Sequence, residues 1–353
     1  MFPYWILFTI FAAGSLEYRR RAAVGSEATP LLAVAGLFVA LMIGFRFEVG
    51  GDWLNYVSIF EEINYSGVGV LIRAQDPGYT FVNWLVGRIG AEIWLVNLIC
   101  GLIFSWGLVK FARRQPNPWL AALIAVPYLI IVVAMGYTRQ GVAIGFILAG
   151  LAVVERTTIL RFVIYIFLAA IFHKSAIIVL PLVALAATRR RILIVPLLGA
   201  TAILLYYLFV SESIDRMVVN YVDQEYQSEG AAIRVAMNLP PALLFLLFNR
   251  RFALDEQQRK LWRNFAYAAL AALLLLVVSA SSTVVDRLAL YLIPLQMFVL
   301  ARLPEAFSAR GRSSGALVLL VIGYSALIQF VWLNFATHAE FWVPYQVYPL
   351  TEQ

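Results

Sequence analysis

Residues 118–155 read PWLAALIAVPYLIIVVAMGYTRQGVAIGFILAGLAVVE, two strongly apolar runs broken only by the turn Tyr137-Thr138-Arg139-Gln140. A turn this short between such runs sets Arg139, its only basic residue, at a membrane surface or just below it. The pattern recurs along the chain, with further apolar runs at 2–16, 31–45, 92–111, 162–173, 175–187, 192–210, 235–248, 265–282, 288–303 and 315–335. Several are shorter than the ~20 residues that cross a hydrocarbon core upright, so their limits are soft by several residues. The 353 residues are 62% hydrophobic and 13% charged. A water-soluble domain carries roughly 25% charged residues, so this chain lacks the polar surface to cover a soluble globule. The bilayer is its solvent, and the expected fold is all-α: one polytopic helix bundle over residues 1–353.

The net charge of +7 does not form the continuous basic face, interleaved with aromatics, that nucleic acid requires. It falls instead in alternate connections. One set holds Arg19–Arg21, Lys110, Arg113, Arg114, Arg156, Arg161, Arg189–Arg191, Arg250, Arg251, Arg259, Lys260, Arg263, Arg302, Arg310 and Arg312. The other holds only Arg46, Arg73, Arg88, Arg139, Lys174, Arg216, Arg234 and Arg287. The positive-inside rule puts the richer set in the cytoplasm. The expected topology is twelve spans with both termini outside, and the first apolar run is a retained span rather than a cleaved signal. The stretch 161–191 is read as a hairpin with His173-Lys174-Ser175 at its apex. As a single helix it would leave eleven spans. The longest outer segments are 46–91 and 211–234; in the first, Asp76-Pro77-Gly78 signals a turn before a short Tyr79–Ile89 interfacial or re-entrant helix. Cys100 is the only cysteine, so no disulfide forms within the chain.

Ionisable groups at membrane depth are costly, and mark functional sites by default. Four places on the outer side stand out: RFEVGGDWLNY at 46–56, TRQ at 138–140, HKS at 173–175 and DRLALY at 286–291. Three arginines at helix ends (Arg46, Arg139 and Arg287) suit an anionic ligand, since the guanidinium fork matches phosphate oxygens. Glu48 or Asp52 is expected near Arg46, and Asp286 near Arg287. No closely spaced acidic pair of the kind that holds a divalent cation is evident, so neither metal nor cofactor is expected.

Taken in order, RFEVGGDWLNY, TRQGVA, FHKSA and DRLALY resemble the EpsG family of Wzy-like exopolysaccharide and O-antigen polymerases, over about residues 40–295. The resemblance implies an inverting, metal-independent glycosyltransferase with a GT-C-like membrane fold, in a bacterial inner membrane and acting on its periplasmic face. It implies undecaprenyl-diphosphate-linked glycans as donor and acceptor, and chain-length-regulating and flippase proteins as partners. On that reading Arg139, Arg46 and Arg287 bind the diphosphate, Asp52 or His173 is the base, and Tyr56, Gln140, Lys174 and Tyr291 bind substrate or position these groups. The competing classes are a flippase or transporter for a lipid-linked solute, an O-antigen ligase, and a membrane acyltransferase built on His173.

Overall fold

The computed structural model describes residues 1–22, 29–66, 69, 74–154, 159–187, 230–278, 282–308, 314–348 and 350. The run expected at 192–210 and most of the 211–234 loop lie outside the described residues. Among the described residues, five helices are long and apolar enough to cross a membrane: Ile93–Ala112, Ala231–Arg251, Glu256–Val278, Ser282–Ala306 and Gly315–Phe335. Shorter apolar helices cover Pro30–Gly44, Pro118–Ala134, Thr138–Leu151, Arg161–Phe172 and Lys174–Ala186. The chain is an all-α membrane bundle.

Local sequence sets where these helices begin. Pro118 occupies the first turn, where a missing N–H costs nothing, and the Asn117 side chain accepts from Leu120 N at 3.0 Å. The same Asn117 donates to Ser15 O at 3.0 Å, so one cap also ties the first helix, Phe2–Ala22, into the bundle. Close crossings need small residues, because neighbouring helices gain no hydrophobic drive from lipid and rely on contact. A Cβ on Gly107 would lie 1.9 Å from Gly145 O, so Ile93–Ala112 and Thr138–Leu151 cross with their backbones touching. From Val126 to Ala134 the chain runs as a fully buried π-helix containing Pro127. Such widened turns often lie beside functional sites, and this one leads directly into the Arg139 turn.

Within the stretch read as a hairpin, residues 161–187 are described and fold as two arms. The Lys110 ammonium donates to Tyr165 OH at 2.7 Å, at the Lys110 end of the bundle. Phe172 then packs against Gly78, where the helix breaks with His173 in an extended conformation. The returning arm brings Val183 and Ala186 beside Val154 and Asp255, so both arms start from the same end.

Segment 46–91 holds two helices rather than one, Trp53–Tyr65 and Pro77–Arg88. The C-terminal residues also do more than the sequence suggested. Gln346–Val347 pairs antiparallel with Arg46–Phe47, Phe341 O accepts from Gly50 N at 2.8 Å, and Trp342 Nε1 donates to Ile131 O at 2.7 Å in the π-helix. This strap closes over one end of the bundle and fixes the loop that follows Gly44.

Candidate functional site

Gly50 has φ +106°, and a Cβ there would lie 2.7 Å from Met135 O. Only glycine allows both the backbone angle and the approach, and the result is that loop 46–52 rests on the turn leading to Arg139. Arg46 lies beneath it at 1% exposure. Its donors go to Val49 O (3.1 Å), Ile43 O (2.9 Å) and Thr138 Oγ1 (2.8 Å). The guanidinium therefore ties the end of the helix Thr29–Gly44 to the start of Thr138–Leu151 and is turned inward. Glu48 is exposed and makes no ion pair with Arg46 among the described residues.

One residue beyond Thr138, the Arg139 Nη1 donates to Asp76 Oδ2 at 2.7 Å. The guanidinium also lies over the Tyr56 ring, 5.8 Å from its centroid, and Tyr56 in turn meets Tyr79 edge-on at 5.6 Å. Asp76 is 7% exposed; burial raises its carboxyl above the usual range, and Arg139 opposes that shift. Sequence reading saw Asp76 only as part of a turn. Its partner is 63 positions away, and spacing carries no signal for such a pair.

Asp52 caps Trp53–Tyr65 in position, yet its carboxylate makes no capping bond and no ion pair among the described residues. Burial raises its carboxyl, while the Arg287 and then the Arg139 guanidinium pull it back. Those two arginines, with Lys174, also face His173. Burial first and these cations second push its imidazole down to about 3, and its Nδ1 is buried without a hydrogen-bond partner. The fourth stretch joins the others through Gln140, whose Nε2 donates to Arg287 O at 2.7 Å, and through Tyr291, whose hydroxyl lies 3.1 Å from Ser175 Oγ. Tyr56, Gln140 and Tyr291 are buried, whereas the Arg287 side chain is exposed.

The expected pairing of Asp286 with Arg287 is not what forms. Asp286 takes Arg234 in a two-bonded fork, Nε–Oδ1 at 2.7 Å and Nη2–Oδ2 at 2.6 Å. Adjacent residues on a helix point about 100° apart, so Asp286 turns into the bundle as Arg287 turns out. The polar thread continues inward: Asn238 Nδ2 donates to Ala289 O at 3.4 Å and Gln296 Nε2 to Asn238 Oδ1 at 2.8 Å. Arg234, counted in the sequence only as a loop charge, thus leaves Arg287 facing Asp52 and His173.

The four stretches singled out in sequence therefore meet at one end of the bundle. Two exposed or half-exposed guanidiniums, one carboxylate without a capping bond and one imidazole form a group able to hold an anion and accept a proton. Neither the curated proteins nor the solved structures provide a match to the chain. The EpsG family model matches residues 30–347, as far as the last residue of the C-terminal strand pair, and the chain accordingly belongs to the EpsG family of Wzy-like polysaccharide polymerases.

Proposed function

We propose that this protein joins undecaprenyl-diphosphate-linked repeat units by inverting glycosyl transfer, on the periplasmic face of a bacterial inner membrane and without a metal. The observation that carries the reading is that Asp52, whose carboxylate makes no capping bond, converges at one end of the bundle with the Arg139–Asp76 ion pair and with Arg287, whose carbonyl accepts from Gln140. A hydroxyl of one lipid-linked unit attacks the anomeric carbon of the growing lipid-linked chain. Its proton passes to Asp52, the new C–O bond forms, and the bond to diphosphate breaks with its electron pair leaving on oxygen. Preorganised cations stabilise charge that develops on a leaving group, and Arg139 and Arg287 have that part here. Asp52 is preferred to His173 as base because the imidazole, ringed by cations, has lost much of its basicity. His173 then contributes a hydrogen bond, and Arg46 acts by holding Thr138 and thus Arg139.

A host lacking the chain and complemented with Arg139→Ala at normal protein level tests this, with surface polysaccharide resolved by repeat number. Material capped with a single unit and devoid of long polymer is the expected result. Long polymer at the wild-type level would remove the role of Arg139. Accumulation of lipid-linked units inside the cell, with no capped material, would favour a flippase instead.

A further inference from the structure

At the end of the bundle opposite the candidate site, a cleft of about 680 Å3 opens between the helices Thr29–Gly44 and Ile93–Ala112. The two helices meet along a seam, where a Cβ on Gly36 would lie 2.5 Å from Val109, one on Gly101 2.9 Å from Ala40 O and one on Gly44 2.7 Å from Leu98, and the cleft flanks that seam. Its apolar length is formed by Leu37, Ala40, Leu102 and Trp106, and its rim by Lys110, Arg113 and Arg114. The Lys110 ammonium is fixed in place, 2.7 Å from Tyr165 OH and 4.7 Å from the centroid of the Trp106 ring. Ser105 also lines the wall, and its buried hydroxyl has no hydrogen-bond partner.

We propose that this cleft binds one anionic phospholipid, its phosphate at Arg113 and Arg114 and an acyl chain along the apolar wall. The volume is that of a ligand pocket rather than a packing defect. A trough that is apolar along its length and cationic only at one end matches an amphiphile with a single anionic head. A polyprenyl diphosphate held at Arg139 does not explain the rim, because its only charge lies at the far end of a helix about 30 Å long. The assignment is independent of the chemistry proposed at that far end.

The test is native mass spectrometry of the full chain, delipidated in a non-ionic detergent. Phosphatidylglycerol and phosphatidylcholine of identical acyl chains are titrated separately. One phosphatidylglycerol should be retained at about tenfold lower concentration than phosphatidylcholine, as two head-group cations provide. Arg113→Ala/Arg114→Ala should abolish that preference, while Arg250→Ala/Arg263→Ala, exposed basic residues outside the cleft, should keep it. Ala33→Trp fills the cleft from its exposed edge, leaves every charge in place and should lose the bound lipid, so it decides the matter if the double arginine variant does not fold. Equal retention of the two lipids, or an undiminished preference in both cleft variants, would overturn the site.

Discussion

The two ends of this bundle hold several of their basic residues in different ways. Where the candidate site lies, arginine is locked by directional bonds: Arg46 to two carbonyls and a hydroxyl, Arg139 to Asp76, Arg234 to Asp286 in a fork. At the other end Arg259 is tied to the carbonyls of Asn249 and Leu254, while other cations lie on aromatic faces, Arg302 4.2 Å from the Phe298 centroid and Arg251 4.9 Å from that of Phe307. Lys260 pairs there with Glu256 at 2.7 Å, with both side chains largely exposed. A stem along apolar surface with its charge near water is an anchor, cheap to keep and loosely specified. A guanidinium buried with every donor directed has lost its hydration and must be held by geometry. Counting charges from sequence gives every basic residue the same weight; the hydrogen bonds separate those that orient the chain from those held in place.

The largest effect that could break this contrast belongs to Arg139. Its replacement by Ala should lower polymer formed per folded protein by about 10³-fold, the upper range for removing one preorganised charge stabiliser, with Arg139→Lys in between. Activity within a few fold of wild type would make Arg139 an anchor like Arg251.

Arg46→Met should cost about 3 kcal/mol of stability, since three buried acceptors lose their donor. The thermal midpoint of the full chain in detergent measures it, and an unchanged midpoint would mean that this burial is not structural.

Asp52→Asn should slow polymer formation by about 10²-fold, in the range expected for a general base. The sign of the pH dependence follows from the raised carboxyl. Only the carboxylate accepts the proton, so the rate falls as pH drops through a value above the ordinary carboxylate of about 4. That acidic limb should vanish in Asp52→Asn. A limb that survives there and disappears in His173→Gln would transfer the role to His173.

The smallest effect is expected from Lys260→Ala: under about 0.5 kcal/mol of stability and no change in polymer. A large loss would show that the basic end is held as tightly as the other.

Much of the site was legible because its residues interrupt apolar runs, and a charge at membrane depth shows in one sequence. RFEVGGDWLNY, TRQ, HKS and DRLALY could be marked as candidates for that reason. Asp76 and Arg234 were not, since each acts through a partner 63 or 52 positions away. The C-terminal strap was missed for another reason. Its role runs through backbone bonds such as Gly50 N to Phe341 O and the Arg46–Val347 pairing, and these leave no mark in side-chain type.

By itself the sequence determined the solvent, the class of fold and the alternation of basic connections, because hydropathy and charge are local properties that the bilayer reads segment by segment. Only the tertiary structure decided which charge meets which. It turned Arg46 inward, gave Asp286 to Arg234 instead of its neighbour, and left Asp52 without a capping bond or ion pair among the described residues. These outcomes depend on helix crossings such as Gly107 against Gly145 and on a glycine loop seated over Met135, contacts between residues far apart in the chain that packing alone brings together.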